Sequence, residues 1–278
     1  MSDFMLSPSP ATSPVTSSAA VVTALRAAGC VFAEDEAELM LCTARSAAEL
    51  AAMVDRRAAG QPLEHVLGWA EFCGLRVAVE YGVFVPRRRT GFLVRRAAAL
   101  AHDAVQRTGR AVVVDLCCGS GAAGAALAAM VACVDLHAAD IDPTAVRCAR
   151  RNLAASGGHV HEGDLYDPLP AALLGRVDVL VANAPYVPTA EIGLLPAEAR
   201  DHEPRVALDG GADGLDIQRR VAREAPAWLS PGGHLLVETS ERQAPHTAAA
   251  FTRNGLAAEI HACEDLDATV VIGTRPPS

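Results

Sequence analysis

This sequence contains no lysine, few aromatic residues and no long apolar run. All 24 cationic side chains are arginines, and aromatic residues make up 4% of the 278 positions. No stretch approaches the roughly 20 apolar residues of a membrane-spanning helix. The segment Met1–Ala20 is rich in Ser, Pro, Thr and Ala and lacks the basic and then apolar order of a signal peptide. We therefore expect a cytoplasmic protein that does not associate with a membrane.

An excess of positive charge is lacking as well. The formal net charge is -9 at pH 7, whereas proteins that bind nucleic acid through a broad face do so mainly by placing cations on phosphates. Direct nucleic-acid binding is therefore not expected. Local arginine clusters at Arg87–Arg89, at Arg95 with Arg96 and around Arg150 are interpreted as solvated surface.

Cysteines at metal-binding spacing are missing too. The eight cysteines are scattered without a C-x-x-C pair, and no histidine-rich segment offers partner ligands for zinc. Thiols of this kind stay reduced and mostly buried in a cytoplasmic protein. The sequence therefore predicts no metal site.

The sequence is rich in apolar residues and has a repeating βα pattern. Hydrophobic residues make up 51% of the chain, enough for one large domain and a small one. Alternating strands and helices predict a mostly parallel sheet that is covered by helices. The predicted strands are 111–116, 134–139, 159–162, 177–182 and 234–238, followed by an antiparallel pair at 256–261 and 268–274. The predicted helices are 90–107, 122–130, 143–155, 213–229 and 243–254.

The chain before this pattern has a different character. Apolar residues at helical spacing between Val22 and Val54 predict a small helical domain. After it, apolar residues alternate over Leu75–Val79 and Val83–Val85, which predicts the two arms of a β-hairpin. The expected boundaries are a disordered tail at 1–18, a helical domain at 19–68, a β-hairpin linker at 69–86 and a large domain at 87–278.

A tetrapeptide directly follows the apolar run Val177–Ala182. A small polar side chain, a bend stiffened by proline and an aromatic ring at a strand end suit an enzyme that holds a planar NH2 group. Asn and Pro are also common turn residues, so a strand that ends in a turn is the alternative. The candidate catalytic residues are Asn183, Ala184, Pro185 and Tyr186.

A glycine loop follows the first predicted strand of the large domain. Gly119 and Gly121 let the backbone approach a ligand closely or take a positive φ, and the helix that begins there directs free N–H groups at whatever is bound. A nucleotide-like ligand at the carboxyl ends of the strands is therefore expected. Asp140, at the end of the next strand, can accept both hydroxyls of a ribose. Asp164 can accept from an adenine amine while Leu165 packs on the ring; helix capping or solvation remains the alternative for both aspartates.

Gly119, Gly121 and Gly124 also match the G-x-G-x-x-G pattern of dinucleotide binding, with Asp140 roughly 20 residues further on. Spacing alone therefore leaves a dehydrogenase open. Asp115, however, is a poor neighbour for a pyrophosphate and a good one for an ammonium group. Asn-Ala-Pro-Tyr also has no role in hydride transfer. S-adenosyl-L-methionine explains both features, and its candidate binding residues are Asp115, Cys117, Cys118, Gly119, Ser120, Gly121, Asp140, Ile141, Asp164, Leu165 and Asn183.

Many short segments from Ala58 onward occur in the order of one known family. They are Gly60–Gly68, Glu71–Leu75, Val83–Arg87 with Thr90, the glycine loop, Asp140–Asp142, Asn183–Tyr186, Glu203 with Pro204, Ala207–Leu215, and Leu229–Gly233 with Glu238 and Gln243. In these segments the chain resembles the HemK-type protein-(glutamine-N(5)) methyltransferases. Departures from the family occur at Cys117, usually glycine, at Ala184, usually proline, and at Gly91, usually an acidic residue.

The resemblance implies the α/β fold of class I S-adenosylmethionine-dependent methyltransferases, with a seven-stranded, mostly parallel sheet, helices on both faces and a small N-terminal helical domain that recognises the substrate. It implies methyl transfer to the side-chain amide of a protein glutamine in a peptide-chain release factor, with S-adenosyl-L-homocysteine as product. As a hypothesis, the Asn183 side-chain oxygen takes one amide N–H and the Ala184 carbonyl the other, each at about 3 Å. Pro185 keeps Ala184 extended, and Tyr186 lies against the flat amide.

Three other functions stay open at this point. A nucleic-acid amino-methyltransferase would hold an exocyclic amine with the same groups. Such an enzyme is expected to have a basic target domain with aromatic residues, which this acidic chain lacks. A peptide- or small-molecule-tailoring methyltransferase fits Gly91 and the short helical region. A protein that binds S-adenosylmethionine without catalysis fits less well, because Asn183, Pro185 and Tyr186 are all in place.

Overall fold

The computed structural model describes residues 17–277. The chain divides into two compact units, one that ends at Leu67 and one that begins at Gly68. Most of the tail predicted at 1–18 lies outside the described residues, and Ser18 already belongs to the first helix. Over 17–277, no helix combines the length and the apolar character that crossing a membrane requires.

The first unit is helical. Its apolar residues pack inward, with Val21, Leu25 and Met40 fully buried. Inside it, the Arg57 guanidinium forms an ion pair of 2.6 Å with Glu36, and both side chains are about nine-tenths buried. Pairing of this kind lets two charges stay in a small apolar core. The helices are α1 (Ser18–Ala27), α2 (Ala33–Thr43), α3 (Ala47–Ala58) and α4 (Leu63–Leu67).

The second unit begins with a β-hairpin that differs from the predicted one. Strand β1 (Trp69–Phe72) pairs with β2 (Leu75–Ala78), and the turn between them has positive φ at both central residues. Such a two-residue turn closes a hairpin tightly. The predicted second arm at Val83–Val85 is wrong, because these valines are buried by packing and not by strand pairing. Alternation of apolar residues therefore identified β2 but not its partner β1.

The rest of the second unit confirms the predicted α/β class. A seven-stranded sheet has the order β5-β4-β3-β6-β7-β9-β8, with parallel pairing up to β7 and antiparallel pairing of β9 with β7 and β8. The strands are β3 (Ala111–Leu116), β4 (Val134–Asp140), β5 (His159–Glu162), β6 (Val177–Ala182), β7 (Leu229–Thr239), β8 (Ala257–Cys263) and β9 (Ala268–Thr274). The helices are α5 (Gly91–Thr108), α6 (Ala122–Met130), α7 (Pro143–Leu153), α8 (Ala197–His202), α9 (Asp216–Trp228) and α10 (Ala244–Arg253).

Two apolar clusters cover the two faces of this sheet. Val113 belongs to the cluster of α5, α6 and α7, whereas Val112 and Val114 belong to the cluster of α9 and α10. Successive side chains of a strand point to opposite faces, so a strand buried on both faces is apolar throughout. All six residues of β3 are buried. The short helix α8 and the early start of β7 at Leu229 are not predicted by the sequence pattern.

The strand register brings the predicted site residues to one edge. Leu116 pairs with Ala139 on one side and with Ala182 on the other, and Ala182 pairs with Val237. The residues that follow these positions therefore lie side by side at the carboxyl ends of the strands. This is where ligands bind in open α/β sheets.

Candidate active site

A cleft opens at this edge of the sheet. The residues that line or adjoin it form two groups. The glycine-loop side comprises Asp115–Gly121, Asp140–Ile141 and Asp164–Leu165, and the Asn183 side comprises Asn183–Tyr186 with Arg89, Thr90 and Glu238. The predicted residues that line the cleft are Asp115, Cys117, Cys118, Gly119, Ser120, Asp140, Ile141, Asp164, Leu165, Asn183 and Pro185. Gly121, Ala184 and Tyr186 are next to these residues in sequence but are not part of the lining.

The glycine loop has a backbone shape that explains its glycines. Gly121, the N-cap of α6, has φ +75°, and a Cβ atom there would lie 3.0 Å from the Cβ of Ala149. Gly119 has φ +54°, and a Cβ atom there would meet nothing within 4 Å. Gly121 is thus required for packing, whereas the absent side chain of Gly119 leaves the cleft open for a ligand. Cys117, where the resemblance expects glycine, also has a positive φ of 54°, a conformation that disfavours side chains.

Asp115 is a buried carboxyl group at the end of β3. It is 2% exposed, and its Oδ2 accepts a 3.0 Å hydrogen bond from the Gly124 N–H at the start of α6. Burial raises the pKa of Asp115 to about 7, and the nearby Asp140 charge contributes in the same direction. A cation bound in the cleft near Asp115 would therefore stabilise the ionised form of this carboxyl group.

Asp140 holds the glycine loop through two backbone bonds. Its Oδ2 accepts from the Gly119 N–H at 2.8 Å, and its Oδ1 accepts from the Asp142 N–H at 2.9 Å. Burial raises the pKa of Asp140, while these two bonds lower it. Each carboxylate oxygen accepts more than one hydrogen bond, so the geometry leaves room for ligand hydroxyls. Asp140 thus also has a structural role that the sequence did not reveal.

Asp164 has a partner that sequence reasoning missed. Its Oδ2 accepts a 2.7 Å hydrogen bond from Arg220 on α9, and both residues line the cleft beside buried Leu165. Arg220 lies 56 positions after Asp164 in the chain, and the other arginines of α9 look the same in the sequence. No local pattern could have assigned it.

On the Asn183 side, the side chains bond to one another. Asn183 Nδ2 donates to the Thr90 hydroxyl oxygen at 3.3 Å, and Arg89 Nη2 donates to the Tyr186 hydroxyl at 2.5 Å. Arg89 Nε also donates to Glu238 Oε1 at 3.4 Å. Burial raises the pKa of Tyr186 to about 12, with a further contribution from the Glu238 charge. Tyr186 is therefore a neutral side chain that is fixed by Arg89.

The interpretation as solvated surface is wrong for Arg87 and Arg89, whereas Arg88 is exposed. Arg87 Nη2 lies 2.6 Å from Glu203 Oε2, and Arg89 lies 3.4 Å from Glu238 Oε1. The Glu203 and Glu238 side chains are 1% and 2% exposed. Buried carboxylates require such partners, so these arginines help to build the Asn183 side. The partners lie 116 and 149 positions away, which is why the sequence did not show them.

Comparisons with known proteins identify a family of methyltransferases. The family described as methyltransferase small domain matches residues 90–195. The release factor glutamine methyltransferase of Geobacter sulfurreducens is 41% identical over 212 residues, which are 74% of this chain and 72% of that protein. The 4-amino-L-phenylalanine/4-methylamino-L-phenylalanine methyltransferase of Streptomyces pristinaespiralis is 38% identical over 205 residues, 73% and 69% of the two chains.

A solved structure supports the fold in addition. The ribosomal protein L11 methylase of Lactobacillus delbrueckii subsp. bulgaricus superposes with a TM-score of 0.50 over 71% of this chain and 84% of that chain, at 16% identity.

The cleft fits S-adenosylmethionine. The open space beside Gly119, the buried carboxyl of Asp115 and the apolar surface of Leu165 suit a ligand with a cationic end and a flat ring. The similarity to methyltransferases sets the dinucleotide alternative aside. At 41% identity over most of both proteins, the chain belongs to the HemK-type family of release factor glutamine methyltransferases and is an S-adenosylmethionine-dependent methyltransferase.

Proposed function

We propose that this protein methylates the side-chain amide of a protein glutamine and that its substrate is a peptide-chain release factor. The relatives with that name support the acceptor. The observation that carries the proposal is the Asn183 carboxamide, whose NH2 group is bonded to Thr90 while the residue lines the cleft. Its oxygen is thus left to accept from a substrate N–H.

We propose that the glycine-loop side binds the cofactor, which supplies a methyl group on a cationic sulfur. Asp115 faces its ammonium group, because a buried carboxyl with a raised pKa gains most from a nearby cation. Asp140 accepts from the ribose hydroxyls with the lone pairs that Gly119 and Asp142 leave. Leu165 and Ile141 offer apolar surface to the adenine, and Asp164 accepts from its amine.

The Asn183 side has to hold a weak nucleophile. The lone pair of an amide nitrogen is delocalised into the carbonyl group, so its attack depends on alignment. We propose that Asn183 Oδ1 takes one N–H of the glutamine and the Ala184 carbonyl the other, each at about 3 Å in near-attack geometry. The new N–C bond forms as the methyl–sulfur bond breaks, and the strongly acidic N-protonated amide that results passes one proton to water, so positioning can lower the barrier without a general base.

Pro185 and Tyr186 support this grip. Pro185 restricts Ala184 to extended conformations, which directs the Ala184 carbonyl. The Tyr186 hydroxyl accepts from Arg89, so the ring is fixed, and we propose that it limits the access of water to the amide. We propose that the helical unit at 19–68 recognises the protein substrate and that the reaction takes place in the cytoplasm.

A second acceptor class is favoured by one observation. A relative at 38% identity is named as a methyltransferase of 4-amino-L-phenylalanine. An aryl amine resembles an amide in that it is a planar NH2 group with a delocalised lone pair, and the same Asn183 grip would hold it. Gly91 stands where the family usually has an acidic residue, and this departure is compatible with a changed acceptor.

The experiment compares these acceptors directly. The protein is incubated with methyl-labelled S-adenosylmethionine and either a purified release factor or 4-amino-L-phenylalanine, and the labelled site is mapped by mass spectrometry. We expect label on one glutamine of the release factor. The matched control is a release factor in which glutamate replaces that glutamine. Label on the amino acid and none on the release factor would overturn the proposal in favour of the tailoring function.

A further inference from the structure

We propose that Gln243 is a positioning residue for the reaction, because its side-chain amide fixes the main chain of Asn183–Tyr186. This inference rests on the proposed function, in which that segment holds the acceptor. Gln243 is not part of the cleft lining and is outside the predicted catalytic set. It therefore acts through the Tyr186 carbonyl group and not by contact with a substrate.

The Gln243 side-chain amide uses both of its hydrogens. Gln243 is 5% exposed and is the N-cap of α10. Its Nε2 donates to the Tyr186 carbonyl oxygen at 2.9 Å and to the Asp213 carbonyl oxygen at 3.1 Å. At the other end of the amide, Oε1 accepts from the Ser240 hydroxyl at 2.6 Å. The amide thus joins the Asn183–Tyr186 segment to the loop before α9 and to the turn before α10.

The orientation of this amide follows from its neighbours. A carbonyl oxygen has no hydrogen to give, so only the NH2 group of Gln243 can face two of them. A hydroxyl can donate to the remaining oxygen, as Ser240 does. Each N–H group therefore has one defined acceptor. A buried polar group that is bonded in this way holds its partners in one arrangement.

Two glycines of the loop before α9 pack against the same main chain. Gly214 has φ +77°, and a Cβ atom there would collide with both the Tyr186 carbonyl oxygen and Gln243 Nε2. At Gly210, a Cβ atom would lie 2.7 Å from the Pro185 carbonyl oxygen. Glycine at these two positions therefore lets the backbone of 210–214 lie directly against the carbonyl groups of 185 and 186.

Backbone hydrogen bonds continue this support beyond Tyr186. The Val187 N–H donates to the Leu208 carbonyl at 3.0 Å, and the Val187 carbonyl accepts from the Gly210 N–H at 2.9 Å. The preceding strand, β6, holds the other end of the segment. Between these two, Gln243 supplies a hydrogen bond to the main chain at Tyr186. The side-chain amide thus closes a gap in the backbone support of the segment.

The first test removes the N–H groups and keeps the length of the side chain. Gln243→Met should lower kcat about tenfold, the equivalent of one net hydrogen bond, because the segment no longer aligns the acceptor. The affinity for S-adenosylmethionine, measured by calorimetry, should stay unchanged, since the described bonds of the Gln243 side chain do not reach the glycine-loop side. An unchanged kcat would overturn the inference.

Ser240→Ala separates positioning from stability. It removes the 2.6 Å bond at the other end of the same amide but leaves both N–H groups on their carbonyl oxygens. Thermal unfolding should show a loss of stability in Ser240→Ala and in Gln243→Met, whereas kcat should fall only in Gln243→Met. Gln106→Met, at an exposed position of α5, is the control and should change neither. Equal losses of kcat in Ser240→Ala and Gln243→Met would refute a positioning role.

Gly214→Ala disturbs the same contact from the other loop. It should lower kcat, and the double variant with Gln243→Met should lose no more kcat than the poorer single variant, because both changes act on the Tyr186 carbonyl. Gly255→Ala is the matched control, since Gly255 has a similar φ of +82° and open space around the new atom. Additive losses of kcat would contradict a shared contact.

A final measurement does not depend on the acceptor. Hydrogen exchange, followed by mass spectrometry without substrate, should be faster over 183–190 in Gln243→Met, while β6 keeps its rate. Unchanged exchange would refute the support by Gln243 even if glutamine methylation is confirmed. Faster exchange in a protein that does not methylate glutamine would refute the proposed function and leave the hold of Gln243 on this segment intact.

Discussion

On the glycine-loop side, Asp115 and Asp140 hold backbone groups that are close in sequence, whereas on the Asn183 side, side chains hold one another across the whole chain. Asp140 bonds to backbone N–H groups 2 and 21 positions away, and Asp115 to one 9 positions away. In contrast, Thr90 with Asn183, Arg89 with Tyr186 and Arg89 with Glu238 are separated by 93, 97 and 149 positions.

This difference separates two tasks. A loop whose backbone N–H groups are held by nearby carboxylates can keep one shape while other residues change, which suits the binding of a common cofactor. A set of side chains from distant segments can be altered one residue at a time, which suits an acceptor that varies. Proteins named for a release-factor glutamine and for an aryl amine are both similar to this chain. Substitutions on the two sides should therefore affect binding and turnover separately.

The largest effect is expected from Asn183→Ala. Loss of the side-chain oxygen removes one of the two groups that align the acceptor, and we expect kcat to fall by about 100-fold or more. S-adenosylmethionine affinity, measured by calorimetry, should change little. Asn254→Ala is the matched control, since Asn254 caps the end of α10. An active Asn183→Ala enzyme would contradict the assignment.

Gly121→Ala should weaken the glycine-loop side. The new Cβ atom would lie 3.0 Å from the Cβ of Ala149. Alanine in the left-handed conformation would also cost about 1–2 kcal/mol of folding free energy. Gly109→Ala has the same kind of φ but open space around the new atom, so it isolates the backbone cost. Denaturant unfolding should show a larger loss of stability for Gly121→Ala, with weaker cofactor binding in that variant alone. Equal losses in the two variants would mean that the contact with Ala149 is unimportant.

Cofactor affinity should depend on pH through Asp115. Its pKa is raised to about 7, so the carboxyl is partly protonated below that pH and attracts a cation only when ionised. Affinity for S-adenosylmethionine should therefore rise as the pH increases from 6 to 8. The rise should be at most about tenfold, because the carboxyl goes from mostly protonated to mostly ionised over this range. Calorimetry across this range measures it. The Asp115→Asn variant should bind weakly and with no such dependence; a dependence that persists there would assign it to another group.

The smallest effect is expected from Ala184→Pro. Ala184 is 1% exposed, and within 17–277 its N–H donates no backbone hydrogen bond, so proline removes no interaction. A stiffer backbone would keep the carbonyl in place, and activity should be preserved or raised. A large loss of kcat in steady-state assays would mean that this loop holds its acceptor in a different way from the rest of the family.

Most of the glycine-loop side could be predicted from the sequence because its determinants are local; the Arg220 partner of Asp164 is the exception. The apolar run of β3, the glycines and the aspartates at the strand ends occur in order along the chain. Each of them is explained by the conformation or the hydrogen bonds of the nearby backbone. The hairpin shows the limit of the same approach. Val83 and Val85 alternate like a strand, yet they are buried without pairing, because burial and strand pairing give the same pattern.

The Asn183 side could be predicted only in part. Asn183–Tyr186 stands out as a motif, but the groups that orient it do not. Arg89 and Glu238 look like ordinary charged residues until the sheet register and the 3-10 helix at Arg88–Thr90 bring them together. Packing between distant segments decides such contacts, and no spacing in the sequence encodes it.

A crystal structure with S-adenosyl-L-homocysteine and a glutamine-containing release-factor peptide would test the central claim most directly. We expect the glutamine amide nitrogen to lie within about 3 Å of both Asn183 Oδ1 and the Ala184 carbonyl oxygen, with the Asn183 NH2 group still bonded to Thr90. A glutamine nitrogen held by other groups, or an Asn183 NH2 group turned toward the substrate, would contradict it.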